Sequence, residues 1–485
     1  MKIPFSVLLL CVAPFVGLTA DYPNPDAVAD SMRKATNFFH ENLAVRGGYA
    51  TEWPLDHSSG RTEHSDSPTV ISIQPHGTTT VGMAMLKAYQ ATGDPVFLSA
   101  AREAASALQW CQLASGGWTS DFDFNPDKRK DYHFRRDVLA GDTDQGKRKA
   151  TSTLDDNKTQ SALLFLLELS HQSECAGDED LQSSAAFAFD GLFAAQFPNG
   201  AWTQQFSGPA DAKAPVKKAA FPDEWPRDWP NEKYSGFYTL NDNNLLHMMG
   251  LLLRASELTG EPIYLERAKR LGDFLLLAQH AEPQPGWSQQ YNLETEAVWA
   301  RKFEPPALCS GESLGAVETL FSLWIATGDE KYRETIPTAL DWLSRSQLDD
   351  GRWARFYEFT TNRPLYCEAD TYKVTYDDSS LPTHYGFKLD ASFGRKIERY
   401  REDLERPRES LQRSRKDPDN PESWAKMARG LKSKVEAAMK AQTRDGYWAD
   451  GDTIDAGLFV KHMNAMALYT KAVKNAGEAF PTSQK

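Results

Sequence analysis

A stretch in the last third of the chain combines arginines with aromatic residues. Residues 351–366 read Gly-Arg-Trp-Ala-Arg-Phe-Tyr-Glu-Phe-Thr-Thr-Asn-Arg-Pro-Leu-Tyr. An arginine guanidinium presents a planar pair of N–H donors that fits a carboxylate, and aromatic rings pack against the apolar faces of sugar rings. The stretch therefore predicts binding of a carboxylate-bearing sugar, with Arg355, Arg363 and Tyr357 as candidate contacts.

Carboxylate and carboxamide side chains are concentrated in two short segments that precede apolar helical stretches. Residues 153–159 read Thr-Leu-Asp-Asp-Asn-Lys-Thr, and residues 238–244 read Tyr-Thr-Leu-Asn-Asp-Asn-Asn. A single Asp or Asn in such a place can simply cap the helix, but two or three of them exceed what capping requires. Hard oxygen ligands without His or Cys favour calcium or magnesium over zinc. Asp155 and Asp242 are the candidate metal ligands.

A third segment places two cations before another apolar helical stretch. Residues 299–310 read Trp-Ala-Arg-Lys-Phe-Glu-Pro-Pro-Ala-Leu-Cys-Ser. The two prolines restrict the backbone, so they would fix the direction of Arg301. A surface pair of cations without a role is the alternative reading. Arg301 is a candidate catalytic residue and Lys302 a candidate substrate contact.

These motifs, in this order, resemble the pectate lyases of the tenth polysaccharide-lyase family. The matching runs are Asn-Asp at 241–242, Ala-Arg-x-aromatic-Glu-Pro-Pro-Ala-Leu at 300–308 and Arg-Phe-Tyr-Glu-x-x-Thr-Asn-Arg-Pro at 355–364. The similarity covers about residues 77–387. It implies an α/α toroid that cleaves polygalacturonate by calcium-assisted anti β-elimination.

The resemblance also implies roles for single residues. Asp155 is similar to the active-site aspartate near the scissile bond, and Asp242 to the aspartate that coordinates calcium together with the substrate. Arg301 is similar to the arginine assigned as Brønsted base. Arg355 resembles one of two arginines that hold the uronate carboxylate.

The chain departs from that family at the second of these arginines. The position fourteen residues after Arg355 is Ala369 here, and Lys373 is the candidate replacement. The departure keeps open a non-catalytic protein that binds polyuronates with calcium. A glycoside hydrolase that uses Asp155 and Asp242 as its carboxylate pair is the other alternative. The products distinguish these classes, because only a lyase yields a 4,5-unsaturated uronate that absorbs in the ultraviolet.

An arginine base is chemically demanding, because the guanidinium pKa lies above about 12. Either neighbouring positive charge must lower the pKa of Arg301, or the reaction must run at alkaline pH. We expect Lys302 and a bound calcium ion to lower that pKa.

A repeated unit is expected to position these residues. It consists of an apolar helical stretch, a Thr-Gly-acidic turn, an amphipathic helix, and a glutamine followed by Gly-Trp or a close variant. About four copies end at tryptophans, of which Trp118, Trp202 and Trp287 are candidate sugar contacts. Alternation of fully apolar with amphipathic helices predicts an inner and an outer ring, hence a mainly α fold, an incomplete α/α barrel or toroid. An open solenoid of helix pairs is the alternative.

Several segments depart from this repeat. We predict one lyase-like domain over residues 21–485, with insertion-like loops at 119–150 and 207–235. Short strands are expected within 366–389, and an outer charged helical segment at 395–417. The first loop carries eight basic residues and is expected to meet substrate carboxylates, with a solvated excursion as the alternative.

Composition limits the class of protein. A net charge of −13 argues against a general nucleic-acid or anionic-membrane binder, and a polyanionic substrate would need a local basic patch. The partner that the motifs and the resemblance imply is an anionic polysaccharide or oligouronate. Residues 1–20 resemble a signal peptide, which predicts a secreted or periplasmic protein, and no later apolar run is long enough to span a membrane. Four cysteines follow without a CxxC pair, which disfavours zinc and leaves disulfide pairing open. We expect a monomer.

Overall fold

The structure is a computed structural model that describes residues 22–480, so the predicted signal peptide lies outside the described residues. The described part contains sixteen α-helices. They are α1 Pro25–Asn42, α2 Thr78–Thr92, α3 Pro95–Cys111, α4 Pro126–Arg129, α5 Arg135–Leu139, α6 Lys158–Ser170, α7 Glu179–Ala194, α8 Asn244–Thr259, α9 Pro262–Ala278, α10 Ser310–Thr327, α11 Lys331–Glu334, α12 Ile336–Arg345, α13 Ala391–Leu404, α14 Arg408–Ser414, α15 Pro421–Ala441 and α16 Ala456–Ala476.

Short β-strands connect the helices. They are β1 Glu52–Pro54, β2 Gly60–Arg61, β3 Asp66–Ser67, β4 Val70–Ser72, β5 Asp121–Asp123, β6 Ser152–Thr153, β7 Gln205–Phe206, β8 Tyr238–Thr239, β9 Gln290–Tyr291, β10 Leu308–Cys309, β11 Trp353–Ala354, β12 Phe356–Tyr357, β13 Pro364–Cys367, β14 Val374–Thr375, β15 Lys388–Leu389, β16 Ala449–Asp450 and β17 Thr453–Asp455. β13, β14 and β15 confirm the strands expected between residues 366 and 389.

The long helices form an incomplete α/α toroid, as predicted. Helices α16, α2, α6, α8 and α10 are packed side by side in that order and form the inner ring. Helices α15, α1, α3, α7, α9 and α12 lie outside them. The inner helices are buried over most of their circumference, as in α10, where residues from Ser310 to Ile325 line the core on several faces. The outer helices bury one side only, which explains the alternation of apolar and amphipathic stretches.

Two-stranded ladders bring the loops of both rings to one end of the toroid. Strands β4, β6, β8 and β10 each lead into an inner helix and pair antiparallel with β5, β7, β9 and β12, respectively. Each of these partner strands begins three residues after a repeat tryptophan, as Gln205 follows Trp202. The segments before the inner helices therefore meet at the same end as the tryptophan loops.

The tryptophans hold the outer helices to their loops rather than facing a substrate. The indole N–H of Trp118 donates to the Leu108 carbonyl at 2.8 Å, in the last turn of α3. Equivalent bonds join Trp202 to Leu192, Trp287 to Leu275, Trp353 to Leu343 and Trp448 to Ala438. The carbonyls of Leu275, Leu343 and Ala438 also accept a backbone N–H, so there the indole is a second donor to a carbonyl at the helix end. The prediction that Trp118, Trp202 and Trp287 contact sugar is wrong, because their side chains are at most 1% exposed.

The glutamine of each unit has a matching role. Gln112 donates to the Gly116 carbonyl at 2.8 Å and thereby closes the loop that leads to Trp118. The same bond forms from Gln196, Gln279, Gln347 and Gln442 to a carbonyl of its own loop. The bond from Gln442 shows that the final helix pair is a fifth copy.

Tyr357 is also structural, which corrects its prediction as a sugar contact. The residue is 1% exposed, its hydroxyl donates to the Ser346 carbonyl, and it accepts from the Ala354 N–H at 2.9 Å. Tyr291 occupies the same place one repeat earlier, where its hydroxyl donates to the Ala278 carbonyl at 2.8 Å.

The charge-dense segment at 395–417 forms two helices, α13 and α14, on the outside of the toroid. Phe393, Ile397 and Tyr400 bury one face of α13, which packs against α12. The four cysteines of the described chain, Cys111, Cys175, Cys309 and Cys367, are free and buried. Within residues 22–480, every helix is too short or too polar to cross a membrane.

We predict that Trp202→Phe lowers the free energy of unfolding by roughly 1–3 kcal/mol, because the buried Leu192 carbonyl loses its donor. Chemical denaturation measures this loss. Trp225→Phe, in the half-buried ring of the 207–235 loop, is the control and should cost less. Equal losses in the two variants would show that ring volume matters and the indole hydrogen bond does not.

Candidate functional site

Two turns of nearly identical conformation lie side by side at the loop end, directly before α6 and α8. In the first turn, Asp156 and Asn157 have φ/ψ of 47°/35° and 62°/26°. In the second, Asp242 and Asn243 have 52°/33° and 56°/27°. Two consecutive left-handed residues are costly for side chains other than glycine, and Asp and Asn tolerate them best. Because neither Asn157 nor Asn243 makes a side-chain cap bond, helix capping does not explain the Asp-Asn pairs.

The two turns bring three carboxylates together, which we name the acidic cluster: Asp155, Asp156 and Asp242. One carboxylate oxygen of each lies within 4.8 Å of those of the other two. Loss of hydration, followed by the negative charges of Asp156 and Asp155, raises the pKa of Asp242 to about 6. Crowded carboxylates of this kind match the oxygen ligands that a hard divalent cation takes. The residues therefore fit the predicted calcium site, including Asp156, which was not singled out in the sequence.

Lys158 is a residue of the site that sequence reasoning missed. Its ammonium nitrogen lies 3.2 Å from Asp155 Oδ2 and 3.2 Å from Asp156 Oδ2, and its side chain is 1% exposed. Glu63, on the β2–β3 connection, lies 4.0 Å from the same nitrogen. In sequence, Lys158 looks like an ordinary first residue of a helix. The only hint is that the matching residue of the second turn is Asn244.

Arg301 lies near Asp242 of the acidic cluster, and two hydrogen bonds to Glu304 hold its guanidinium in place. Its Nε donates to Glu304 Oε2 at 2.9 Å, and its Nη2 donates to the other carboxylate oxygen. The backbone N–H of Arg301 bonds to the same carboxylate at 3.0 Å. Burial alone would lower the pKa of Arg301, but the hydrogen bonds and negative charge of Glu304 outweigh burial and raise it. The guanidinium also lies close enough to Asp242 to oppose the rise in the pKa of that carboxyl.

The expectation that Lys302 lowers the pKa of Arg301 is wrong. The Lys302 ammonium lies 3.8 Å from the centre of the Tyr372 ring, on the exposed rim. Glu304, which is 2% exposed, is the dominant charged neighbour of Arg301 and acts in the opposite direction.

Tyr385 lies between Arg301 and Arg355, the two arginines singled out in the sequence, and was not predicted. Its hydroxyl donates to Glu304 Oε1 at 2.9 Å. The guanidinium carbons of Arg301 and Arg355 lie 5.5 Å and 4.8 Å from the centre of its ring. Arg355 also donates from Nε to the Gly386 carbonyl at 2.9 Å, and its Nη1 lies 3.7 Å from Glu312. Arg355 is thus held in one direction while its side chain stays partly exposed.

The remaining predicted cations lie farther out on exposed surface. Arg363 stacks on Tyr376, with its guanidinium carbon 3.5 Å from the ring centre. Lys373 is exposed in the connection between β13 and β14. At the position of the family's second arginine, the Ala369 N–H donates to the Ser380 carbonyl, and the residue lines a surface pocket with Glu368 and Asp370. No contact of Lys373 in the described residues 22–480 brings it to Arg355.

The 207–235 loop is fastened to the segment that carries Arg301. The Trp229 indole N–H donates to the Ala300 carbonyl at 2.8 Å, and the Trp299 indole N–H donates to the Pro226 carbonyl at 2.7 Å. The same loop places Tyr234 near Arg301, and burial is the main cause that raises the pKa of its phenol. The loop therefore forms one wall beside the arginine.

Some cations of the basic loop at 119–150 have internal partners. Arg135 is 4% exposed and pairs with Asp180 at 3.2 Å. Arg148 pairs with Asp142 at 2.8 Å, and Lys130 with Asp127 at 2.8 Å. Burial commits Arg135 to the protein, which corrects its part in the prediction, whereas Lys130 and Asp127 are both exposed and their pair leaves Lys130 accessible.

The pKa of Asp242 leads to a prediction for the metal-free protein. Its value of about 6 in the folded state exceeds the usual value of about 3.9, so the stabilisation from the protonated form is full below about pH 4 and is lost as the pH rises through about 6. Asp242→Asn removes this dependence. In chelator and well above pH 6, the variant should melt at a higher temperature than the parent. Below about pH 4, this advantage in melting temperature should be smaller. The control Asp349→Asn, at an exposed aspartate, should show no such difference. An equal response of both variants would contradict the assignment of the effect to crowding of the Asp242 carboxylate.

The comparison with known families concerns the middle of the chain. Residues 125–352, slightly less than half of the 485 residues, match the sequence model of the family described as pectic acid lyase. The matched region contains Asp155, Asp242 and Arg301 and ends three residues before Arg355. No curated protein matches the chain.

Solved structures with a similar arrangement share little sequence. The family 10 polysaccharide lyase from Cellvibrio cellulosa has a TM-score of 0.44 and 18% identity, over 67% of this chain and 97% of that chain. A mutant of that enzyme in complex with trigalacturonic acid gives the same TM-score of 0.44 and 18% identity, over 67% of this chain and 99% of that chain. The α-1,6-mannanase GH76A from Salegentibacter has a TM-score of 0.41 and 12% identity, over 93% of this chain and 99% of that chain.

The family match confirms the resemblance that the motifs at 241–242 and 300–308 indicate. It also confirms the prediction of an enzyme: by its similarity to pectic acid lyases over residues 125–352, the chain is a polysaccharide lyase.

Proposed function

We propose that this lyase cleaves a uronic-acid polymer, most readily polygalacturonate, by calcium-assisted anti β-elimination. The observation that carries the proposal is the position of Arg301 beside the acidic cluster, near enough for its charge to act on Asp242. Elimination across a uronate needs a base for the proton α to the carboxylate and positive charge near that carboxylate. The loop end of the toroid supplies carboxylates for a cation and two arginines for these tasks.

Asp155, Asp156 and Asp242 would hold calcium in this proposal. When bound, calcium supplies positive charge that pairs with the uronate carboxylate and stabilises the enolate-like charge of the transition state. Within the chain, Lys158 already neutralises part of the charge on Asp155 and Asp156. Asp242 has no cation within ion-pair distance among residues 22–480, so it is the ligand that gains most from a bound cation.

Arg355 is the second source of positive charge. Its Nε donates to the Gly386 carbonyl and its Nη1 lies 3.7 Å from Glu312, which orients the guanidinium and leaves Nη2 for a substrate carboxylate. Such preorganised donors stabilise developing charge without reorganising during the reaction. In this proposal Arg355 alone does the work of the family's arginine pair, because the chain has Ala369 at the second position. Lys302, Lys373 and Arg363 would contact sugars farther from the scissile bond.

Arg301 is the proposed base, and Glu304 makes its deprotonation harder. Nε and Nη2 are bonded to Glu304, so Nη1 is the nitrogen left to accept the α-proton. Glu304 raises the pKa of Arg301, so the neutral form is scarce at neutral pH. The proposed reaction therefore requires alkaline pH. In this proposal Asp155 lies next to the scissile bond.

A glycoside hydrolase that uses Asp155 and Asp242 as its carboxylate pair is the second candidate. The two carboxyl groups of a glycoside hydrolase are about 5–5.5 Å apart in retaining enzymes and about 6.5–9.5 Å apart in inverting ones. Asp155 and Asp242 have oxygens within 4.8 Å of each other, which excludes neither role, but the third carboxylate of Asp156 in the same space favours joint coordination of one cation.

The direct test is ultraviolet absorbance of the unsaturated product on polygalacturonate, alginate and glucuronan, with calcium or with chelator. We predict calcium-dependent absorbance on polygalacturonate, and a loss of at least about 100-fold in kcat for Arg301→Lys, since general base catalysis contributes that much. Arg352→Lys, at an exposed arginine paired with Asp350, is the control and should retain activity. New reducing ends without absorbance would identify a hydrolase and overturn the proposal.

Glu304→Gln tests whether Arg301 is the base. Removing the negative charge lowers the pKa of Arg301, so the rising alkaline limb of the pH–kcat profile should move to lower pH. Tyr385→Phe removes one hydrogen bond to Glu304 but keeps its charge, so its limb should move less. If Arg301 acts only as a cation, Glu304→Gln lowers kcat without moving the limb, which contradicts the assignment. Circular dichroism melting checks that both variants are folded.

A further inference from the structure

A cluster of arginines surrounds one tryptophan at the edge of the toroid. The guanidinium carbons of Arg136, Arg129 and Arg46 lie 3.4, 5.1 and 5.8 Å from the centre of the Trp110 ring. Arg46 and Arg129 are exposed, and Arg136 and Trp110 are half-buried. We name these four residues the Trp110 site.

The three guanidinium groups are uncompensated. Within residues 22–480, none of the three forms an ion pair with a carboxylate, and no side-chain hydrogen bond of theirs is formed to the protein. Other cations of the same loop do have such partners, as Arg148 has in Asp142. Burial, followed by the positive charge of Arg129, lowers the pKa of Arg136. Like charges held this close repel one another, and an anion between them would relieve that repulsion.

The site is assembled from four separate elements and has a rigid base. Arg46 follows α1 in a turn with a φ of 51°, Trp110 lies in the last turn of α3, and Arg129 and Arg136 lie on α4 and α5. Beneath them the Trp110 ring packs against Phe122, Phe124 and Phe134, with centroids 5.5, 4.9 and 5.7 Å away. This packing holds the indole in place while the guanidinium groups stay at the surface.

Strand β5 connects this site with the acidic cluster. The first residue of β5, Asp121, accepts a hydrogen bond from the Thr62 hydroxyl at 2.6 Å. Glu63, which follows Thr62 in the chain, lies 4.0 Å from Lys158 Nζ. At its far end, β5 leads into Phe124, whose ring centre lies 5.5 Å from the Arg46 guanidinium. Three residues of strand span about 10 Å. The Trp110 site therefore neighbours, and is separate from, the part of the loop end that holds the acidic cluster, Arg301 and Arg355, which we name the cleft.

We propose that the Trp110 site binds carboxylate groups of an anionic polysaccharide and retains the chain near the cleft, independently of calcium. Planar guanidinium forks match carboxylates in two-point contact, and three of them offer room for more than one uronate. A net charge of −13 repels any polyanion at longer range, so a polyuronate would be retained only by local positive charge such as these three arginines supply. The identity of the polymer rests on the proposed function, but binding here does not require elimination.

The test is affinity electrophoresis of the full protein in gels that contain polygalacturonate and chelator. The triple variant Arg46→Gln, Arg129→Gln, Arg136→Gln should bind at least about tenfold more weakly than the parent, because it loses the charged donors that pair with carboxylates. The control is Arg395→Gln, Arg413→Gln, Arg429→Gln, which removes three exposed arginines of the outer helices α13, α14 and α15 and the same net charge. It should bind like the parent.

Activity assays provide the second readout. In calcium, the triple variant should show a raised KM for long polymer and an unchanged kcat/KM for a short oligouronate that occupies only the cleft. The single variant Arg129→Gln, at an exposed residue, should show a smaller effect in the same direction and does not depend on the folding of the triple variant.

Each outcome decides the matter. Equal weakening of the test and control variants, or no binding by the parent in chelator, would overturn the Trp110 site. Binding in chelator that depends on the three arginines, combined with no ultraviolet product in calcium, would support the site and refute the proposed elimination. The two proposals therefore fail in different measurements.

Discussion

The structure depends on one repeated hydrogen bond, from a buried indole N–H to a carbonyl in the last turn of an outer helix. The Trp202–Leu192 bond is typical: it fixes the loop after α7, and β7 then begins three residues later. β7 pairs with β6, and β6 leads directly into the first acidic turn. The indole bond thus determines where the carboxylates lie, although the indole contacts no substrate. A buried donor and acceptor that would be costly to leave unpaired give this arrangement its specificity.

On that scaffold the site contains several unfavourable features at once. Asp156 and Asp242 lie in left-handed backbone, the carboxylates are crowded enough to raise the pKa of Asp242, and Glu304 is buried as an ion pair with Arg301. Each of these features opposes folding, and together they lie in the short segments that precede three adjacent inner helices, α6, α8 and α10. Strain and crowded charge persist only where the surrounding structure over-determines them. The strand pairs β6–β7 and β8–β9, together with the packing of α6 against α8, supply that support.

The sequence predicts the ring and much of the site, but not how the side chains are oriented. The periodic Gln and Gly-Trp residues predict the helix pairs, and the Asp-Asn segments predict the carboxylate cluster. Trp118 was misassigned because a buried hydrogen-bond donor and an exposed sugar platform use the same residue type, and only burial separates them. Glu304 and Tyr385 are 81 residues apart, so no local pattern could indicate their hydrogen bond. The effect of Glu304 on Arg301 was hidden for a different reason: Lys302 is nearer in sequence, but its side chain points to another ring.

The two acidic turns differ in their counter-charge, and this difference makes the acidic cluster asymmetric. The turns share one backbone conformation, yet the residue that begins the following helix is Lys158 in the first and Asn244 in the second. Lys158 is buried against Asp155 and Asp156, so those carboxylates keep a permanent counter-charge whether or not another cation is bound. Asp242 has only the more distant charge of Arg301 to oppose its crowding, and its raised pKa shows that this opposition is incomplete. A cation entering the cluster therefore gains most on the Asp242 side, which is the side facing Arg301. In the proposed reaction, the cation and the uronate would thus be directed towards the proposed base by two differences between the turns, Lys158 in place of Asn244 and Asp155 in place of Asn241.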